Sequence, residues 1–200
     1  MVIRIEQHKA NKFLSLDSDD VVRFSSAAKW RDEIVGDISV VAWPMNRFYN
    51  HGDPTAANID WNDNRLRVYE KLDGTMCVLY WDHVCDRWHV ATRSVPEADV
   101  PINKGNIVVG DITFSELFFI ALHKTLLEYS TTSCSASVQC DSNVNRFVVN
   151  QSPEVSLFLS TLNKGITYVF ELTSPHNHVV VKYEEPRVTL LAARRLSDVS

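Results

Sequence analysis

One pentapeptide carries residue types suited to covalent chemistry, Glu70-Lys71-Leu72-Asp73-Gly74. A lysine amine attacks phosphorus only when neutral, and near pH 7 that requires a pKa depressed by burial or by neighbouring cations. The pattern predicts that Lys71 ends a strand, sharing a face with Tyr69 while Glu70 points the other way, and that the chain then turns at Asp73-Gly74. Gly74 lets backbone pass close to a ligand, and Asp73 can accept hydrogen bonds that hold the turn. The letters Lys-x-Asp-Gly describe equally well a charged strand closed by an ordinary Asp-Gly hairpin turn. Alone, they leave both readings open.

The elements that must position Lys71 are strands. Ile38 to Trp43, Leu66 to Leu72, Met76 to Trp81 and Arg87 to Thr92 are short β-rich runs broken by turn residues. The last two, joined by Asp82 to Asp86, read as a hairpin. Thr113 with Glu116 three residues on makes a capping box for a helix running to about Tyr129. Residues 130–143 are small and polar, the composition of a surface loop. Ser152-Pro153-Glu154 opens a second helix reaching Leu162. Tyr168 to Leu172, His178 to Tyr183 and Arg187 to Ala192 then read as three strands. Two β regions bracketing helices predict an α+β fold, arranged as one domain over residues 1–200 with an N-terminal extension of about residues 1–30.

Composition narrows the function classes. Apolar residues make up 45% and charged residues 22% of the 200 positions, a globular mix. No apolar run approaches the roughly 20 residues needed to span a bilayer, and the first residues carry no signal or transit pattern. No membrane role is expected, and the cytosol or nucleus is the default location. The net charge of −5 argues against a protein that coats nucleic acid non-specifically. A local basic groove built from Arg65, Arg67, Arg93, Arg187, Arg194 and Arg195 remains open, as does the reading of these as scattered solvated charges. Cys77, Cys85, Cys134 and Cys140 show neither a Cys-x-x-Cys pair nor a matching histidine spacing, so neither a zinc site nor a disulfide framework is indicated. His176 and His178 flank Asn177 in a turn and are expected to point to opposite faces, so no metal is assigned to them.

Two further segments give the lysine a context. Upstream lies Trp43-Pro44-Met45-Asn46-Arg47-Phe48-Tyr49-Asn50-His51-Gly52-Asp53, and downstream Tyr168-Val169-Phe170-Glu171-Leu172-Thr173-Ser174-Pro175-His176-Asn177 followed by a β-rich run. In this order the three segments resemble the T4 RNA ligase 1 family of covalent nucleotidyltransferases, from about Arg31 to about Arg194. The resemblance implies antiparallel sheets with packed helices forming a nucleotide cleft, ATP and Mg2+ as cofactors, and Lys71 as the residue that takes AMP. It implies nucleotide-binding roles for Glu70, Asp73, Gly74, Arg31, Arg47, Arg93 and Glu171, with Glu171 at the ribose or at a hydrated metal. The AMP would pass to an RNA 5′-phosphate, which a 3′-hydroxyl then joins, tRNA being one candidate substrate.

The family's later Glu-Gly strand and Lys-x-Lys strand are not found before Ser200. The expectation is therefore a C-terminally incomplete site, finished by a partner or by a segment outside this chain. Two other readings stand beside RNA ligation. One is capping-type guanylyl transfer from GTP, which shares Lys-x-Asp-Gly. The other is a catalytically silent RNA- or nucleotide-binding relative.

Overall fold

The structure, a computed structural model, describes residues 2–7, 10–15, 37–46, 49–93, 95–104, 107–133, 152–177 and 180–199. Among them, antiparallel sheets and two helices make an α+β fold. Strands β1 (Val2–Gln7), β2 (Ala10–Ser15) and β3 (Asp37–Ala42) form one sheet in the order β2-β1-β3. Strands β4 (Thr75–Asp82), β5 (Arg87–Ala91), β8 (Ile166–Thr173) and β9 (Arg187–Arg195) form a second, in the order β5-β4-β8-β9. Between β5 and β8 come the hairpin of β6 (Pro101–Lys104) and β7 (Ile107–Thr113), helix α1 (Phe114–Ser133) and helix α2 (Pro153–Thr161). A short 3-10 turn, Leu196–Val199, ends the described chain.

The apolar run Met76 to Trp81 lacks the alternation of a half-exposed strand because β4 is covered on both faces. Cys77 and Leu79 join a core with Leu117, Phe118, Phe170 and Leu172, while Val78 and Tyr80 pack with Val41 and Ala42 of β3 and with Ala91. Burying a side chain of this size stabilises by about 1.5–3 kcal/mol. The central strand is thus the common wall of two apolar clusters.

Both expected helix starts form. The Thr113 backbone N–H donates to Glu116 Oε2 at 2.7 Å and the Glu116 N–H returns to Thr113 Oγ1 at 3.1 Å. Each end of the capping box thereby satisfies a donor that the first helical turn leaves open. Ser152 caps α2, its Oγ accepting from the Val155 N–H at 3.3 Å, with Pro153 inside the first turn. Ser152→Ala is expected to cost about 1 kcal/mol, seen as a thermal midpoint lower by about 2–4 °C.

Four expectations are corrected. Leu66 to Leu72 does not form a strand. The ladder positions beside β4 are taken by β5 and β8, and Val68 and Tyr69 are 83% and 82% exposed, so pairing and burial both go unused there. Nor is the described part of His178 to Tyr183 a strand, since residues 180–183 are irregular and two of their N–H groups serve the Asp73 carboxylate. The helix expected to end near Tyr129 continues to Ser133, which takes residues 130–133 out of the expected polar loop; residues 134–143 lie outside the described ones. Segments 2–7 and 10–15, assigned to an extension, pair into the sheet with β3, and the hairpin of β6 and β7 was not expected from the sequence.

Candidate functional site

The turn before β4 is tied down by the strand that pairs with β4. In the ladder of β4 and β8, Thr75 faces Leu172 and Met76 faces Glu171. This register brings the Glu171 carboxylate to the Gly74 backbone, whose N–H donates to Oε1 at 2.9 Å. A Cβ on residue 74 would stand 2.3 Å from the Leu172 carbonyl oxygen, so only glycine fits where the two backbones cross. That same oxygen accepts from Asn177 Nδ2 at 2.7 Å. Asn177 is in turn held by Ser174, whose Oγ lies 2.6 Å from Asn177 Oδ1 and accepts from the Asn177 N–H at 3.1 Å.

Asp73 clamps the other side of the turn. Its Oδ2 accepts from the N–H groups of both Val180 and Val181 at 2.7 Å, and its own N–H donates to Tyr183 Oη at 3.3 Å. Two donors from consecutive residues on one carboxylate oxygen explain why this segment does not enter a ladder. Asp73 accepts hydrogen bonds, but from the backbone of Val180 and Val181, more than 100 residues away, and not within an Asp-Gly turn of its own; the chain only bends at Gly74. Tyr183, Ser174 and Asn177 are likewise additions of the structure. For Ser174 and Asn177 the visible signals were the turn composition of Ser174-Pro175-His176-Asn177 and its place at the end of the family-like segment, while Tyr183 carried none.

Lys71 and Glu70 are exposed, and Lys71 precedes β4 without ending a strand of its own. Burial therefore does not supply the desolvation that the amine was expected to need. Lys71 stands near enough to Glu171 for its charge to pull that carboxylate's pKa down. Burial is the larger effect and pushes Glu171 above the ordinary glutamate value; the Gly74 N–H and then Lys71 oppose the rise, and Asp73 adds to it. A carboxylate held in a setting that disfavours its charge is a marker of functional sites.

The raised pKa has a consequence for stability. The folded chain holds this proton more tightly than the unfolded one, so the group contributes most below the ordinary glutamate value and loses its contribution as pH rises through the folded value. Glu171→Gln keeps an acceptor for Gly74 and removes the charge. Its thermal midpoint is expected to exceed that of the wild type at neutral pH, with the margin shrinking on acidification, in melts taken from about pH 8 to about pH 4. A margin that grows on acidification would contradict this assignment.

Arg93 is exposed and lies two residues beyond Ala91, which pairs with Val78, so it is at the end of the sheet where Gly74 and Glu171 sit. Arg31 and Arg47 fall outside the described residues. Between them, Trp43 to Asn46 is fastened to the second sheet: the Trp43 N–H donates to Thr167 Oγ1 at 3.1 Å, and Arg194 donates to the Pro44 carbonyl and to Asn46 Oδ1. Four of the six arginines that could have built a basic groove, Arg194 among them, are engaged separately. Arg65 is chelated by Asp63, Arg67 donates to the Asn64 and Leu66 carbonyls, and Arg187 pairs with Glu128. Arg187 and Arg194 also occupy opposite ends of β9, about 23 Å apart at strand rise. No helix among the described residues is long and apolar enough to cross a membrane.

Comparison with known proteins agrees with this arrangement of segments. A family model described as RNA ligase, of the T4 RNA ligase 1 type, matches residues 26–198. The chain is 27% identical over 177 residues to an RNA ligase of Rhodothermus phage RM378, covering 78% of this chain and 33% of that protein. It is 28% identical over 165 residues to a protein of Autographa californica nuclear polyhedrosis virus provisionally named bifunctional polynucleotide kinase/RNA ligase, covering 78% of this chain and 19% of that protein. The chain thus spans about a third of the one and about a fifth of the other.

Proposed function

This chain belongs to the T4 RNA ligase 1-like family of RNA ligases, and from that premise we propose that it is an ATP-dependent nucleotidyltransferase that prepares RNA ends for joining. The observation that carries the reading is the bend Asp73-Gly74, locked to Glu171 on one side and to Val180 and Val181 on the other, with Lys71 two residues before Asp73. A nucleophile must be held in one place to gain from proximity, and this turn is anchored at both of its residues.

In the proposed reaction, Lys71 Nζ attacks the α-phosphorus of ATP. A phosphorus–nitrogen bond forms, the bond to pyrophosphate breaks, and Nζ releases its proton. An oxygen of an RNA 5′-phosphate then displaces the lysine, which regains a proton, and a 3′-hydroxyl finally displaces AMP. Because Lys71 is exposed, its desolvation falls to the nucleotide that covers it. Arg93, at the same sheet end, is proposed as one cation for the phosphates, which guanidinium geometry suits.

The donor set fits Mg2+, which is typically held by one or two carboxylates together with substrate phosphates. Glu171, with one oxygen committed to Gly74, is the residue that would hold it, and Asp73 is occupied as a clamp. The ion would neutralise phosphate charge. The nucleotide lies, in this proposal, in a cleft against the face of β8 that carries Glu171.

The deciding experiment incubates the full chain with Mg2+ and α-phosphate-labelled ATP or GTP and follows label that survives denaturation. Label from ATP supports the proposal. Label from GTP alone would indicate guanylyl transfer. Absence of label from both nucleotides, in a chain shown to be folded, would leave a module that binds without turnover.

A further inference from the structure

The far end of the β4–β5 hairpin holds a second cluster of chemistry-bearing side chains, unrelated to the turn at Gly74. Thr75 and Asp82 are the two ends of β4, about 23 Å apart at strand rise. Pairing of Tyr80 with His89 sets Asp82 diagonally across from His89 on the same face. The turn that follows carries Cys85. A carboxylate oxygen of Asp82, Sγ of Cys85 and a ring nitrogen of His89 all lie within 4.8 Å of one another, and Oδ2 is 3.7 Å from Nε2. Asp82 and His89 are buried, at 0% and 7% exposure, while Cys85 is exposed.

The surroundings orient the imidazole as a ligand. Nδ1 lies 3.3 Å from Glu97 Oε1, and Arg87 Nε donates to Nε2 at 3.1 Å. A nitrogen that accepts from a guanidinium carries its lone pair, so the ring proton is on Nδ1, facing Glu97. Nε2 is then the ligating atom of the ring, 3.7 Å from Asp82 Oδ2, with its lone pair taken up by Arg87 in this structure. A carboxylate behind the histidine is the usual outer-shell device of metal-binding imidazoles. Tyr80 stacks on the ring at 5.5 Å and 19°, and its hydroxyl donates to the Pro96 carbonyl at 2.9 Å, so the ring plane is also held.

We propose that Asp82, Cys85 and His89 form a binding site for a zinc-type divalent cation, with Glu97 as its outer-shell support. One thiolate, one imidazole and one carboxylate make a mixed sulfur, nitrogen and oxygen set, which suits Zn2+ and not Mg2+ or Ca2+. Donors around a tetrahedral Zn2+ are spaced at about 3.3–3.5 Å, so Asp82 and His89 are nearly in place and the exposed Cys85 turn closes the remaining gap. The ion replaces the Arg87 guanidinium at Nε2; Arg87 is exposed and already within 3.5 Å of Glu97, so it keeps a partner after release. Three protein ligands leave a fourth position for water. At this distance from Lys71 the ion acts on the hairpin tip and on the segment holding Pro96 and Glu97.

The test uses the full chain, stripped with a chelator and titrated with Co2+, which reports thiolate ligation as a charge-transfer band. One Co2+ per chain with that band, displaced by one equivalent of Zn2+, is the expected result. Cys85→Ser, an exposed position whose replacement leaves the core intact, is expected to abolish the band and weaken binding at least about tenfold. Glu97→Gln should retain the band and weaken binding by about 10- to 100-fold. A folded wild type with no band, or a band of equal affinity in Cys85→Ser, would overturn the proposal.

Discussion

Lys71→Ala is expected to lower nucleotide labelling of the chain by at least about 10³-fold, to the background of the assay. The magnitude follows from the proposed role, because alanine leaves no atom to accept AMP. Lys71→Arg should fail equally, since a guanidinium stays protonated at any working pH and is not a nucleophile. Neither change should disturb folding. Lys71 is exposed, and surface substitutions without a structural partner usually stay within about 0.5 kcal/mol. Label loss with an unchanged denaturation midpoint is therefore the signature to seek. Label persisting on Lys71→Ala would place the chemistry on another residue.

Gly74→Ala should destabilise the fold far more than the same methyl group added at Gly165. The new Cβ at residue 74 would meet the Leu172 oxygen at 2.3 Å, the Leu172 carbonyl carbon at 3.0 Å and Thr173 Cγ2 at 3.2 Å. Two of these atoms belong to backbone, which cannot swing aside as a side chain tip can. The start of β4 must move from β8, straining the bond from Gly74 to Glu171. Overpacking of this kind costs about 1–3 kcal/mol and a hydrogen bond to a charged group is worth about 1.5–3 kcal/mol, so a loss near 3 kcal/mol is expected in urea denaturation. Gly165→Ala is the control: its nearest contact is 3.4 Å from Asn163 Oδ1, an ordinary separation, and its loss should stay below about 1 kcal/mol. Equal losses for the two variants would refute the crossing at Gly74 as the cause.

The two predictions probe different links in one chain of causes. Lys71 is proposed to act at the reacting atoms, whereas Gly74 acts through the backbone that sets where Lys71 and Glu171 stand. Labelling should fall in Gly74→Ala as well, but together with the denaturation midpoint. That coupling distinguishes a positioning defect from the loss of a nucleophile.

Features encoded within a few residues were legible before any coordinates. The capping box of Thr113 and Glu116, the Ser152-Pro153 start and the hairpin from Met76 to Thr92 each depend on donors, acceptors and turn residues near in sequence. The period-2 argument failed for Leu66 to Leu72, because alternation shows that a strand could present one apolar face and says nothing of whether a partner edge lies beside it. It failed again near Tyr183, where the carboxylate of Asp73 takes two of the N–H groups a ladder would have used.

By itself the sequence determined an α+β chain with two capped helices, the order of the segments around Lys71 and Glu171, and the family those segments belong to. Tertiary structure alone decided that Glu171 reaches Gly74, that Asp73 clamps residues 180 and 181, that Lys71 stands exposed, and that Asp82, Cys85 and His89 converge at a hairpin tip. The physical reason is one of range. Caps and turns are settled by bonds between near neighbours, while the register of β4 against β8 joins residues about a hundred positions apart and is chosen by burial of the whole sheet. A shift of one residue in that register would turn Glu171 to the opposite face, and no local pattern records which alignment wins.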